Sequence, residues 1–234
     1  MDLLWDGLIE AIRLILRADP ELQQLVSRSL MVSLTATALA AAAGIPAGIA
    51  LAVGRFPGRA LLQVVVSTGM GLPPVLVGLV VTLFLWRTGP FGALGLLYTP
   101  AAMVLAQFLV AAPIAAGFTR AALGLLEPDL LAALRVDGAG RLALGWELVR
   151  AALPQVLLAV GAAFGRAISE VGASLMVGGN IAGQTRILTT AIVLETGRGN
   201  FALAIALGLV LLALAFVVNV ALGWSARVPA AAGT

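Results

Sequence analysis

Long uncharged runs separated by short charged stretches set the pattern of this chain. From 1 to 28, Asp2, Asp6, Glu10, Arg13 and Arg17 recur at intervals of three or four, with Leu4, Trp5, Leu8, Ile12, Ile15 and Leu16 on the opposite face. That spacing predicts an amphipathic helix, which either lies at a bilayer surface or packs on the rest of a bundle. Asp19-Pro20 ends it, and Pro20 opens a second short helix through Arg28. Ser29 to Val53 is uncharged and predicts a first membrane span, with Gly44-Ile45-Pro46-Ala47-Gly48 giving a small-residue face and a kink. A second span covers Ala60 to Trp86. Its Gly69, Gly71 and Pro73-Pro74 make either a break whose freed carbonyls line a cavity or a packed kink. The third span is Ala101 to Phe118, and the fifth is Phe201 to Trp224, followed by an Ala-rich tail at 227–234 expected to be disordered.

Between the third and fourth spans lies the largest polar interruption, 123–152, with Glu127, Asp129, Arg135, Asp137, Arg141, Glu147 and Arg150. It reads as helical pieces around Gly138-Ala139-Gly140. The fourth span, starting at Leu153, is unlike the others because it carries Arg166 and Glu170 in an apolar run. Four residues apart, they share one face of a helix. A charged side chain in hydrocarbon is costly and faces a bundle interior or a wet path. Gly161, Ala162, Ala163, Gly165, Ala167, Gly172 and Ala173 surround the pair and let neighbouring backbones come close. A polar, Gly-rich stretch from Gly178 to Arg186 follows. Together these residues predict the wall and outer mouth of a polar passage.

Composition confirms the membrane and removes several functions. The 234 residues are 61% hydrophobic and 11% charged, with a mean hydropathy of +1.09, against about 45–50% apolar in soluble domains. The class is therefore all-α: a polytopic membrane protein of about five membrane helices plus an N-terminal amphipathic helix. The net charge of +3 gives no reason to expect nucleic acid. With no Cys, no His and no paired acids in one span, the chain lacks a nucleophile–base set, which argues against an intramembrane enzyme. No metal site is expected. All fourteen basic residues are Arg, so a GxxxxGK[ST] phosphate loop is impossible and ATP chemistry must come from elsewhere. Met1-Asp2-Leu3-Leu4 lacks the positive region of a secretory signal, so the N-terminus is expected to remain. Placing 123–152 inside puts seven Arg there and six outside, which does not decide orientation. The halves show no inverted repeat of the secondary-transporter kind.

Arg166-Ala167-Ile168-Ser169-Glu170-Val171-Gly172-Ala173, then Met176 to Ile181, resemble the core of oxyanion-type ABC importer permeases, the molybdate- and sulfate-type binding-protein-dependent family. Where molybdate and sulfate permeases usually read Gly-Glu-Phe-Gly or Gly-Glu-Tyr-Gly, this chain has Ser169-Glu170-Val171-Gly172. With Thr185 to Ile192 and Leu194-Glu195-Thr196, this version is similar to the tungstate permease subunits of that family. The resemblance covers about residues 28–226. Leu131-Ala132-Ala133-Leu134, Gly138 and Leu153-Pro154 loosely match the family's cytoplasmic coupling helix, although its leading Glu is absent and the Gly to Leu-Pro spacing is longer.

The resemblance implies a type I ABC importer transmembrane domain over 29–226, after the amphipathic segment 1–28, in a bacterial or archaeal inner membrane with its N-terminus outside and C-terminus cytoplasmic. It implies a homodimer with the path at its interface, two ATP-binding ATPase subunits, an extracellular binding protein, and tungstate or a related oxyanion as cargo. The chain itself would hold no cofactor. Arg166, Ser169, Glu170, Ser174 and Asn180 would line the path or its gate, the Arg166–Glu170 pair doubling as a packing ion pair. Gln184, Thr185 and Arg186 would form the outer mouth and dock the binding protein. Leu131, Ala132, Ala133, Leu134, Arg135, Gly138, Ala139 and Gly140 would meet the ATPase. Molybdate or sulfate transport is the alternative within the family, and an ion-coupled secondary transporter or channel is the alternative outside it.

Overall fold

The computed structural model describes residues 2–17, 19–127, 130, 133–134, 136 and 140–227, and among these it is helical with no strand. Helix α1 (Asp2–Leu16) is followed by α2 (Pro20–Val53), which runs through the boundary at residue 28 without a break. The second short helix expected at 21–28 is therefore the first part of the first span. Asp19 accepts a hydrogen bond from Leu22 N and Pro20 opens the helix, and nothing between Glu21 and Arg28 disfavours its continuation. α1 packs on the last helix, α10 (Phe201–Arg227): Gly7 leaves no room for a Cβ beside Ile205, and Ala11 is buried. The packing reading of the amphipathic pattern therefore holds, and Leu4, Trp5, Leu8, Ile12 and Ile15 stay exposed on the other side of α1.

The second span is not a kinked rod. It divides into α3 (Arg59–Met70) and α4 (Pro74–Leu85), set at 107° to each other. Pro74 forces the residue before it into extended backbone, and Pro73 sits at φ −61°, ψ 123°, so the helix cannot cross that point. The third span, α5 (Pro100–Gly124), is continuous and starts on a Thr99 cap. Within the polar interruption, α6 (Arg141–Ala151) meets α7 (Leu153–Ile168) at 85°, and Leu153-Pro154 begins the new helix. α8 (Gly172–Gly178) and α9 (Leu188–Gly197) complete the set, and α10 remains helical through Arg227, the first residue assigned to the tail; 228–234 lie outside the described residues. Among the described residues three helices are long and apolar enough to cross a membrane, or up to five spans if each bent pair counts as one.

α2 and α5 run parallel and form the spine. A Cβ at Gly44 would sit 2.7 Å from Ala115 Cβ, and one at Gly48 would sit 2.7 Å from the Ala116 carbonyl oxygen and from Thr119 Cβ. The small-residue face expected from the sequence is thus the α2–α5 contact. Around it, Val32, Val81, Met103, Ala106, Ala173 and Val177 make the main apolar core. Leu123, Leu148, Ala152 and Val156 close the end that carries the polar interruption, with Ile45, Ile49 and Leu134 against them. Gly48→Ala drives a methyl into a backbone carbonyl and should lower stability in detergent by about 2 kcal/mol. Gly208→Ala, inside α10 with open space around it, should instead raise stability, by up to about 1 kcal/mol. Thermal unfolding midpoints of the two purified variants check the contrast.

Candidate functional site: the charged break between α7 and α8

α7 stops at Ile168, and α8 begins at Gly172. Glu170 is therefore not on a helix one turn beyond Arg166, as the four-residue spacing suggested, but in the gap between two helices. The two side chains still meet: Arg166 Nη1 lies 3.5 Å from Glu170 Oε2. Their environments differ sharply, since the Arg166 side chain is 31% exposed and that of Glu170 only 2%. The other carboxylate oxygen, Oε1, accepts from Ala173 N at 2.9 Å and so caps the first turn of α8. The backbone is tied as well. Glu170 N donates to Ala167 O, the Ser169 hydroxyl donates to Arg166 O, and the Thr189 hydroxyl donates to Glu170 O at 3.0 Å. A break in a membrane helix leaves polar backbone groups that must be met inside the protein, and these bonds meet several of them.

α8 is anchored along its whole length. Gly78 of α4 lies against Ala173, where a Cβ would come within 2.7 Å of the Ala173 backbone. Gln107 of α5 donates from Nε2 to Ser174 Oγ at 3.2 Å, and both residues are fully buried. Gln107 Oε1 has no hydrogen-bond partner among the described residues. At the far end the Thr185 hydroxyl donates to Gly178 O and accepts from Ile181 N. Of the residues expected from sequence to line a path, Arg166 and Glu170 are brought together, Ser169 is exposed beside them, and Ser174 is turned into the core. Asn180 adopts φ +52° past the end of α8, with Oδ1 buried and without a partner among the described residues.

Gln184 is exposed on the loop 179–187, whereas Thr185 is fully buried, so its hydroxyl serves the loop's own fold and is not offered outward. Arg186 reaches Glu21 of α2 at 3.8 Å, and its side chain is 18% exposed. Glu195 is 8% exposed and holds Arg198 at 2.8 Å and Asn200 at 2.7 Å. In the coupling set, Ala133 is exposed, Leu134 packs on the Leu123–Leu148 cluster, and Gly140 precedes α6. Leu131, Ala132, Arg135, Gly138 and Ala139 lie outside the described residues. Sequence reasoning missed Gln107 as a site residue, although it is the one polar side chain in the third span as drawn, 101–118. It also missed Arg28, which donates from Nη1 to Arg186 O at 3.0 Å and from Nη2 to Gly183 O at 2.8 Å. A cation at the very start of an apolar run was the signal.

No group of three or more His, Cys, Asp or Glu that could hold a metal occurs among the described residues. The arrangement offers one paired charge in an apolar wall, a capped broken helix and a helical elbow at one end. That is the equipment of a multi-pass membrane transport component. Residues 44–228 match the family model of the binding-protein-dependent transport system inner membrane component. The tungstate uptake system permease protein of Peptoclostridium acidaminophilum is 40% identical over 94% of this chain and 96% of its own length. A Haloferax volcanii protein named "Probable anion ABC transporter permease protein" is 45% identical over 82% of this chain and 84% of its own. The molybdenum transport system permease protein of Escherichia coli K12 is 30% identical over 90% and 95%. The chain belongs to the family of binding-protein-dependent transport system inner membrane components, the permeases of ABC importers.

Because Glu170 is buried and serves both Arg166 and the α8 cap, Glu170→Ala should lower stability by about 3 kcal/mol. Arg166→Met leaves that buried carboxylate without its counterion and should cost a comparable amount, again about 3 kcal/mol. Thermal unfolding of both variants in detergent checks the two losses, and a change under about 1 kcal/mol in either would mean that the pair and its cap add little to stability.

Proposed function

We propose that the chain is the permease subunit of an ATP-driven importer that moves tungstate across the membrane by alternating access. The observation that carries this reading is the 40% identity to a tungstate uptake permease across almost the full length of both chains, against 30% to a molybdenum permease. The break at Ser169-Glu170-Val171-Gly172 falls where the family's oxyanion signature lies.

In this reading two copies pair with the path between them, and Arg166 faces it. A bare carboxylate in the path would repel an oxyanion, so the place of Glu170 is behind Arg166, neutralising it between passages; its burial and second bond to Ala173 N fit that division of labour. The segment 123–152 meets two ATPase subunits on the cytoplasmic side, which places the N-terminus outside and the C-terminus inside. The bend between α6 and α7 gives a push on that segment a direct route into α7. The loop 179–187, with Gln184 exposed, docks the binding protein on the outer side. Selection of cargo rests with that protein, and the permease offers a weak path that must let cargo go.

Proteoliposomes holding this chain, its ATPase and its binding protein should take up radiolabelled tungstate only when ATP is inside with the ATPase. Arg166→Met should reduce that uptake by at least about tenfold, the cost expected when a charged partner of an oxyanion is lost. A preference for molybdate over tungstate would move the assignment to the alternative cargo. Uptake by the chain alone, indifferent to ATP, would sink the importer reading.

A further inference from the structure

The loop 179–187 has no regular secondary structure, yet it is braced at many points. Thr185 bonds back to Gly178 and Ile181, Arg28 holds the carbonyls of Gly183 and Arg186, and Leu188 N donates to Ser29 Oγ at 2.9 Å. Thr190 closes the corner by accepting from Ile187 N at 3.1 Å and donating to Ile187 O at 3.0 Å. A segment cross-linked in this way shifts as a unit, carrying the first turn of α9 with it. In that turn sits Thr189, 4% exposed, whose hydroxyl reaches the carbonyl of Glu170. Among the described residues no other donor reaches that carbonyl. It lies in the gap between α7 and α8, where the next helix has not yet begun to supply N–H groups.

We propose that Thr189 is the positioning residue through which docking on the loop's exposed rim, Ile181 to Gln184, is passed to the Arg166–Glu170 break. The inference rests on the reading of that loop as the docking surface. The two ends of the link are one hydrogen bond apart. Moving the loop strips the Glu170 carbonyl of its donor, and an unmet carbonyl at this depth disfavours the present form of the break. Glu170 carries both the Arg166 contact and the α8 cap, so any shift of its backbone reaches the charge pair and α8 together. The α7–α8 break is thus the element with two arrangements, and the loop biases it through Thr189.

The test uses the full reconstituted complex and reads ATP hydrolysis with and without loaded binding protein. In Thr189→Val, stimulation by the binding protein should fall about fivefold, the shift expected from one buried hydrogen bond, while the half-saturating binding-protein concentration stays within about twofold. Thr189→Ser, which keeps the hydroxyl, should restore stimulation. Ser29→Ala, which loosens the same corner from the other side, should lower it too, so the inference stands or falls even if Thr189→Val fails to assemble. Wild-type stimulation in Thr189→Val, equal losses in the Val and Ser variants, or a loss confined to half-saturation would overturn the link. An unaltered complex indifferent to the binding protein would overturn the docking reading itself, a result visible before any variant is made.

Discussion

Every other feature of this molecule accommodates one constraint: a helix broken in the middle of an apolar bundle exposes backbone groups that lipid cannot satisfy. Glu170 meets the start of α8 with its carboxylate, Thr189 meets the carbonyl of Glu170, and Thr185 meets the end of α8. Each donor or acceptor comes from a segment that must itself be held, which explains why Arg28, Ser29 and Thr190 are spent on a loop. The charge of Arg166 is possible only because this network already fixes its counterion.

How much could be read from residues alone depended on whether the cause was local. Gly44 and Gly48 advertise a close helix contact because small residues four apart in an apolar run have little other use, and the contact is where they placed it. The long polar interruption and the amphipathic first helix were equally plain, whereas the 85° bend before Leu153 was not. Pro73-Pro74 announced a disturbance, but its 107° angle is set by α4 packing on α8 through Gly78 and Ala173, a contact between distant parts of the chain. Ser169 to Val171 announced nothing, having neither Gly nor Pro, and the four-residue spacing of Arg166 and Glu170 invited a continuous helix. What stops the helix is the Glu170 side chain turning to cap its own successor and a hydroxyl from nineteen positions further on. Such causes are tertiary, and the same holds for buried Thr185, which the sequence assigned to the outer mouth.

The two ends of the bundle are built on different principles. At the loop end hydroxyls and one guanidinium hold backbone carbonyls, an arrangement with definite geometry and few alternatives. At the end with the polar interruption, Leu134, Leu144 and Val149 pack on Leu123 and Leu148, and Arg59 holds the Leu51 carbonyl close by. Apolar contacts are non-directional, so the packing there is set with less exact geometry than the hydrogen bonds impose on the loop.

α2 joins these ends as one helix of 34 residues, about 51 Å long at about 1.5 Å per residue. Its uncharged part, Ser29 to Val53, is itself longer than the roughly 30 Å of hydrocarbon it crosses. Such a strut fits only by tilting or by thickening the bilayer around it, and its parallel partner α5 is bound to tilt with it. The lipid's own thickness thereby becomes a mechanical setting of the protein: the same chain, placed in a thinner or thicker membrane, begins from a different lean.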